Sequence, residues 1–389
     1  MSSAQADTGE DGLLEVLRAR IRRDGPMPVE AYMQACLADP EHGYWRQAAG
    51  TIGADGDFIT APEISQVFGE LIGLWCGVVW QSMGRPAGVH LIELGPGRGT
   101  LLRDGLRAGR AVPGFLQAAA VHLVEISAPL REMQRQALAP FSRSRRPAQD
   151  PAAGLPGVVG PRLRGDDVEW HERLGEVPPG PAIIIGNEFL DALPIRQLVF
   201  AAGAWRERVV ELDGQEKLRF GLGATVDRPE ADWADTAPPP DAILELRAGE
   251  SELIAELAGR QAPVAALLID YGPAEAGYGE TLQAVRRHAY GDPLATPGSA
   301  DLTAHVQFGR LARQARAAGL AVDGPITQAE FLGALGAAER AARLMAANPA
   351  EAGSIETGVQ RLLSPAGMGQ LFKAMVIRSP DLPPPAPFG

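Results

Sequence analysis

The stretch IELGPGRGT, residues 92–100, reads as a buried strand running into a glycine-rich turn. The ligand that this turn is built for decides the fold. Gly95, Gly97 and Gly99 are followed by Thr100, so the third glycine comes one residue earlier than in the GxGxxG fingerprint of a dinucleotide site. Glu93 adds a physical objection: it lies two residues before the first glycine, and like charges ~4 Å apart at an effective dielectric of ~20 repel by about 4 kcal/mol. A pyrophosphate is therefore disfavoured. A ligand carrying an ammonium and a sulfonium is attracted by the same acid, and its one carboxylate can be taken by amides at the turn and the helix start. S-adenosylmethionine is such a ligand.

Working outward, the strand VHLIEL at 89–94 leads through the turn into a helix at TLLRDGLRAG. VHLVEI at 121–126 leads into SAPLREMQRQAL, with Ser127 as the cap. This alternation is βαβ grammar and predicts a parallel sheet. PAIIIGN at 181–187 and VAALLID at 264–270 are further strands of the fully buried kind. Glu125, at the end of the second strand, is placed to accept hydrogen bonds from ribose hydroxyls, a device that dinucleotide sites share.

Upstream, Leu13, Leu14, Leu17 and Ile21 recur at helical spacing, and Thr60-x-x-Glu63 reads as a capping box before a long helix. Residues 11–88 are thus expected to be a helical extension packed on a core at 89–378. Within that core, RQLVF, AWRERVVEL and KLRFGLG alternate apolar with polar and predict an inserted antiparallel β-rich subdomain at 196–262. The run at 139–165 carries Pro, Gly and Arg without periodicity and reads as a surface loop. MGQLFKAMVI at 368–377 reads as a closing strand, and 379–389 as an extended tail.

Composition narrows the function. The 389 residues are 46% hydrophobic, enough for a large core, and carry a formal net charge of -12, with a pI near 5.1. No domain-wide basic face is available for nucleic acid. The longest apolar run, LIGLWCGVVW, is about half of a membrane-crossing helix, so no membrane insertion is expected. Cys36 and Cys76 have neither disulfide-framework nor zinc-ribbon spacing. The first residues lack signal-peptide or transit-peptide character, which leads to the expectation of a cytoplasmic protein.

The motifs GDFITAPEISQVFGELIG, IELGPGRGTLL, NEFLDALPI, IDYG, GETLQAVRRHAYGDPLATPGSADLTAHV and GQLFKAMVI occur in this order between about residues 25 and 378. Together they resemble the MidA family of class I S-adenosylmethionine-dependent methyltransferases, whose mitochondrial members are protein arginine methyltransferases of respiratory complex I assembly. The resemblance implies an α/β fold with a seven-stranded Rossmann-like methyltransferase sheet, S-adenosylmethionine across Gly95, Gly97 and Gly99, and a complex I subunit as the protein substrate. It also implies that the helix after Thr60 covers the cofactor. Where the family reads HVDF this chain has Gln307 in place of the acid, which weakens any catalytic part for that position.

In NEFLDALP, Asn187, Glu188 and Asp191 follow a strand, where ligands of doubly wound sheets bind. Arginine methylation needs carboxylates that pair with the planar guanidinium and orient one nitrogen. Glu188 and Asp191 are the candidates for that chemistry. The plainer alternative has Asp191 fixing the turn before Pro194 and Asn187 ordering the loop. In DLTAHVQF, Asp301 or Thr303 is expected to cap a helix, placing His305 one turn inside it as a candidate base or guanidinium partner. Arg286, Arg287 and His288 read as a solvated helix face. A non-catalytic assembly chaperone that keeps this fold is the alternative function, with a nucleotide-dependent oxidoreductase a third.

Overall fold

The computed structural model describes residues 10–47, 53, 56–57, 59–141, 168–227, 229 and 238–389; most of the 139–165 loop lies outside them. The chain forms two compact units, each assembled from three segments: one from residues up to 58, 190–252 and 275–310, the other from 59–189, 253–274 and 311–389. The stretch 11–88, expected as one helical extension, is shared between them.

The second unit carries a seven-stranded sheet: β1 (Val89–Leu94), β2 (Ala119–Val124), β3 (Glu169–His171), β4 (Ala182–Asn187), β5 (Val264–Tyr271), β6 (Ala321–Thr327) and β7 (Phe372–Arg378). Their order is β3-β2-β1-β4-β5-β7-β6, and β7 runs antiparallel to the other six strands. The sheet expected from the sequence is thus present, including the closing strand. Central strands read as continuous apolar runs because both faces are covered: Ile183, Ile184 and Ile185 of β4 and Leu267, Leu268 and Ile269 of β5 are all buried. The strand order reverses between β1 and β4. Pairing of Leu94 with Gly186, and of Ile269 with Asn187, brings the carboxyl ends of β1, β4 and β5 level there.

Helix Gln66–Ser82 crosses helix Thr100–Gly109 so closely that a Cβ on Gly73 would fall 2.3 Å from the Gly105 Cα. Two short residues are what permit that approach. The long helix is capped by Ser65, whose hydroxyl accepts from Val67 N at 3.3 Å. The expected capping box at Thr60 and Glu63 is overturned: Thr60 caps nothing with its side chain, and Glu63 accepts from the Thr100 hydroxyl instead. The helix that follows Thr60 spans only Ala61–Ile64, so the tertiary partner outweighs the local one. A capping box does form at Thr327 and Glu330. Residues 379–389, expected as an extended tail, pack against the rest of the second unit. Leu382 is buried, the Phe388 ring packs 5.7 Å from Phe331, and Trp75 Nε1 donates to Ala386 O at 2.9 Å.

In the first unit, strands Arg196–Ala201, Ala204–Leu212, Leu218–Thr225 and Ile243–Leu246 form the expected antiparallel sheet, joined by the short strand Met27–Pro28. Leu13, Leu17, Tyr32, Met33 and Val210 share its buried core. Two sequence expectations fail here. Asp301–Thr303 is a strand paired with Gln283–Arg286, and the following helix starts at Phe308, so neither Asp301 nor Thr303 caps it and His305 lies before it. Arg286 ends a strand, and Arg287 and His288 form a left-handed turn at φ 49° and 60°. Asp57 secures that turn by accepting from Arg287 N at 2.8 Å. Helical spacing was misread because the polar residues belong to a tight hairpin.

Candidate functional site

In an open α/β sheet, ligands bind beyond the carboxyl ends of the strands where the strand order reverses. Here that place is formed by the turn after β1, the first residues past β2 and the loop after β4. Gly95, Gly97 and Gly99 have φ of 59°, 52° and 80°, a left-handed run open to glycine at little cost. A Cβ on Gly95 would also come within 3.0 Å of the Phe189 ring. The turn is a bare backbone cradle that side chains would fill.

Glu93, at the head of this cradle, is 3% exposed, and its Oε2 has no hydrogen-bond partner among the described residues. Burial pushes its carboxyl up to about 8. Asn187 Oδ1, at the end of β4, is likewise buried without a partner among the described residues, while its amide donates to Glu188 Oε1 at 3.1 Å. Two buried acceptors without donors suit an ammonium-bearing ligand. These residues therefore fit S-adenosylmethionine, with Glu93 and Asn187 to meet its cationic end and the glycines to admit its close approach.

Glu125, the first residue past β2, is buried and accepts from Ser127 N at 2.7 Å and Gln134 Nε2 at 3.1 Å. Burial raises its carboxyl, and the hydrogen bond from Ser127 is the largest force opposing it. Ser127 caps the next helix as expected, accepting from Leu130 N at 3.4 Å. Sequence reasoning missed Gln134. It is fully buried, donates to Gly97 O at 2.7 Å as well as to Glu125, and accepts from Trp170 Nε1 at 2.8 Å. Its signal was available: Gln134 stands between the buried Leu130 and Leu138 on the apolar stripe of its helix.

Glu188 has φ 50°, a left-handed backbone that a residue with a Cβ adopts at a cost of order 1–3 kcal/mol. Its N donates to Ile269 O at 2.9 Å, and its Oε1 accepts from Ala61 N at 2.9 Å. Thr60 therefore stands next to the amide that Glu188 holds. Glu63, on the same short helix, binds Thr100 and lies 3.8 Å from Arg98, tying that helix to the glycine turn. A further acid, Asp270 at the end of β5, is fully buried and accepts from Tyr271 N at 2.9 Å. It closes an apolar run and drew no assignment in the sequence reading.

Asp191 and His305 fold with the other unit. Asp191 is buried, and its carbonyl accepts from Ala304 N at 3.0 Å. His305 N donates to Thr281 Oγ1 at 2.9 Å, and its carbonyl accepts from Arg247 Nη1 at 2.8 Å. Burial draws the His305 imidazole below its ordinary range; Glu245 opposes this and Arg247 adds to it. Gln307 Oε1 accepts from Gly277 N at 3.1 Å, so the neutral side chain is used to hold a loop.

A seven-stranded sheet with an acid-headed glycine turn at its switch point defines the class: a class I S-adenosylmethionine-dependent methyltransferase. Residues 71–326 match the family described as "Putative S-adenosyl-L-methionine-dependent methyltransferase", and the chain belongs to that family, as the MidA resemblance implied. It is 36% identical to the protein arginine methyltransferase NDUFAF7 homolog, mitochondrial, of Drosophila melanogaster, across 97% of this chain and 87% of that one. Identity to the human protein arginine methyltransferase NDUFAF7, mitochondrial, is 34%, across 92% and 82%. A solved structure from Burkholderia thailandensis with S-adenosylhomocysteine bound superposes with a TM-score of 0.80 at 28% identity, covering 99% of this chain and 96% of that one. S-adenosylmethionine is accordingly the cofactor. The relatives also overturn the expectation of a cytoplasmic protein, since they are named as mitochondrial. That expectation rested on the composition of the first residues, which carries no information from the folded site.

Proposed function

We propose that the protein methylates an arginine side chain of another protein, and that the acceptor is a subunit of respiratory complex I. The observation that carries this reading is Glu188: an acid held in a left-handed backbone just past β4, next to Asn187, whose Oδ1, like Glu93 Oε2, has no hydrogen-bond partner among the described residues. The names of the relatives as protein arginine methyltransferases support it. S-adenosylmethionine supplies an electrophilic methyl on a sulfonium and leaves as S-adenosylhomocysteine. Glu188 pairs with the guanidinium, orients one nitrogen for in-line attack and draws positive charge toward the others. Glu93 and Asn187 hold the ammonium end of the cofactor, Gly95, Gly97 and Gly99 admit its backbone-close approach, Glu125 takes the ribose, and Thr60 belongs to the segment that covers it. For Asp191 as a second acid and His305 as a base, the support is the sequence alone.

The test incubates the purified full-length chain with S-adenosylmethionine and isolated complex I subunits, and follows S-adenosylhomocysteine and arginine mass together. We expect one subunit to gain methyl mass on arginine. Glu188→Gln, which keeps an oxygen for Ala61 N, lowers kcat at least 100-fold while the cofactor Kd stays within about threefold, the pattern of a group used in the transition state. Unimpaired turnover in Glu188→Gln would remove Glu188 from the reaction. Cofactor binding without S-adenosylhomocysteine from any subunit would favour the chaperone reading instead.

A further inference from the structure

Away from the cofactor turn, the sheet carries a row of imidazoles. His90 of β1, His122 of β2 and His171 of β3 are linked side by side: His90 Nδ1 lies 2.8 Å from His122 Nε2, and His122 Nδ1 lies 3.0 Å from His171 Nε2. Strand alternation puts His90 on the face opposite Leu91 and Glu93, and His122 opposite Val121 and Leu123. Glu169, paired with His122 across the β2–β3 ladder, brings Oε2 to 3.7 Å from His122 Nδ1 and 3.9 Å from His171 Nε2. Among the described residues, this is the one group of three metal-ligating side chains whose donor atoms converge.

We propose that His122 Nδ1, His171 Nε2 and Glu169 Oε2 bind a divalent transition-metal ion of the zinc type. A point equidistant from the three donors lies about 2.1 Å from each, the length of a zinc–imidazole bond. Two imidazoles and a carboxylate are the donor set of borderline metals, and three protein ligands leave the remaining position to water. His90 supplies what a ligating histidine requires behind it. With His122 Nδ1 on the metal, His122 Nε2–H donates to His90 Nδ1, which fixes the tautomer and the ring plane. His90 is itself confined, since a Cβ on Gly180 would fall 2.9 Å from its Nε2. In the tautomer in which His122 Nε2–H donates to His90, His171 Nε2–H donates to His122 Nδ1 before the ion enters; on binding, that proton moves to the other nitrogen of His171 through solvent, and no net charge is lost from the rings. The Arg260 guanidinium also acts on His122, after burial and the neighbouring imidazoles, and Glu256 stands against it.

The site would staple an edge. β3 is three residues long and, among the described residues, pairs only with β2. It nevertheless holds the ribose end of the cofactor site, because His171 O accepts from Glu125 N at 2.9 Å. Two ligands from β3 and one from β2 tie that edge to the sheet. The two cysteines do not compete for the ion, being buried with their thiols pushed up by desolvation.

The experiment strips the purified full-length protein with a chelator, dialyses it against zinc chloride, and counts bound metal by plasma mass spectrometry, with cobalt(II) absorption as a second readout. We expect about one zinc per chain, a cobalt spectrum with nitrogen–oxygen coordination, at least a tenfold loss of affinity in Glu169→Gln and in His90→Ala, and loss of stoichiometric binding in His171→Ala. Glu169 is 60% exposed, so its variant tests the site even where a histidine variant fails to fold, as circular dichroism will show. Substoichiometric zinc in the parent, or undiminished zinc in Glu169→Gln, would overturn the proposal. Methyl transfer is not part of the readout, so its failure leaves the enzyme assignment intact.

Discussion

Glu93 shows how one residue carries both recognition and cost. Burial holds its carboxyl near 8 in the folded chain, against an ordinary value near 4.5. Because the folded protein binds this proton more tightly than the unfolded chain does, stability without cofactor falls as pH rises between about 5 and 8, by several kcal/mol in all. Thermal unfolding across that range should show the decline, and Glu93→Gln should flatten it while weakening S-adenosylmethionine binding at least tenfold in calorimetry. An unchanged slope in the variant would mean that Glu93 is not the titrating group. Gln134 makes the opposite kind of contribution, a neutral side chain satisfied on three sides. Gln134→Leu keeps the volume but leaves Gly97 O, Glu125 and Trp170 short of partners, and should cost about 1–3 kcal/mol in denaturant unfolding.

At the scale of elements, the close crossing of helices Gln66–Ser82 and Thr100–Gly109 sets the position of the glycine turn, because the second helix begins at Thr100. Gly73→Ala places a methyl where the Gly105 backbone already sits, and overpacking of that kind costs about 1–3 kcal/mol or more. The variant should unfold at lower denaturant with an unchanged m-value and bind the cofactor more weakly, since the helix start must move. Gly333→Ala, with nothing near the added methyl, is the control and should be neutral or slightly stabilising. The elements legible in the sequence were those whose pattern is set by burial: β1, β2, β4, β5 and β7, and the antiparallel strands between Arg196 and Thr225. Thr60 and Glu63, Asp301 and Thr303, and Arg286 to His288 were misread. Glu63, Thr303, Arg287 and His288 have partners far along the chain, Thr100, Gln283 and Asp57, and local spacing cannot reveal them.

For the whole molecule, the division into two units of three segments each means that neither can be excised as one contiguous piece. The C-terminal residues belong to this architecture. Ending the chain at Asp381 would uncover Phe331 and leave Trp75 Nε1 without Ala386 O, a loss of about 3 kcal/mol or more from the apolar burial alone. Differential scanning calorimetry should register it as a fall of several degrees; an unaltered melting profile would show that the packing of Leu382 and Phe388 is dispensable.

What the sequence determined by itself was the class of fold and the kind of ligand. Hydrophobic period and glycine spacing are local properties, and Glu93 sits two residues from the turn it qualifies. What only the tertiary structure decided was everything that depends on pairing between distant segments: the Glu93 and Asn187 acceptors left without a partner among the described residues, the left-handed Glu188 bound to Ala61, Gln134 bridging the turn to Glu125, and the histidine row on three strands. Hydrogen bonds and convergent donors are short-ranged in space and indifferent to separation along the chain, so they come into being only when the sheet has set its strands side by side.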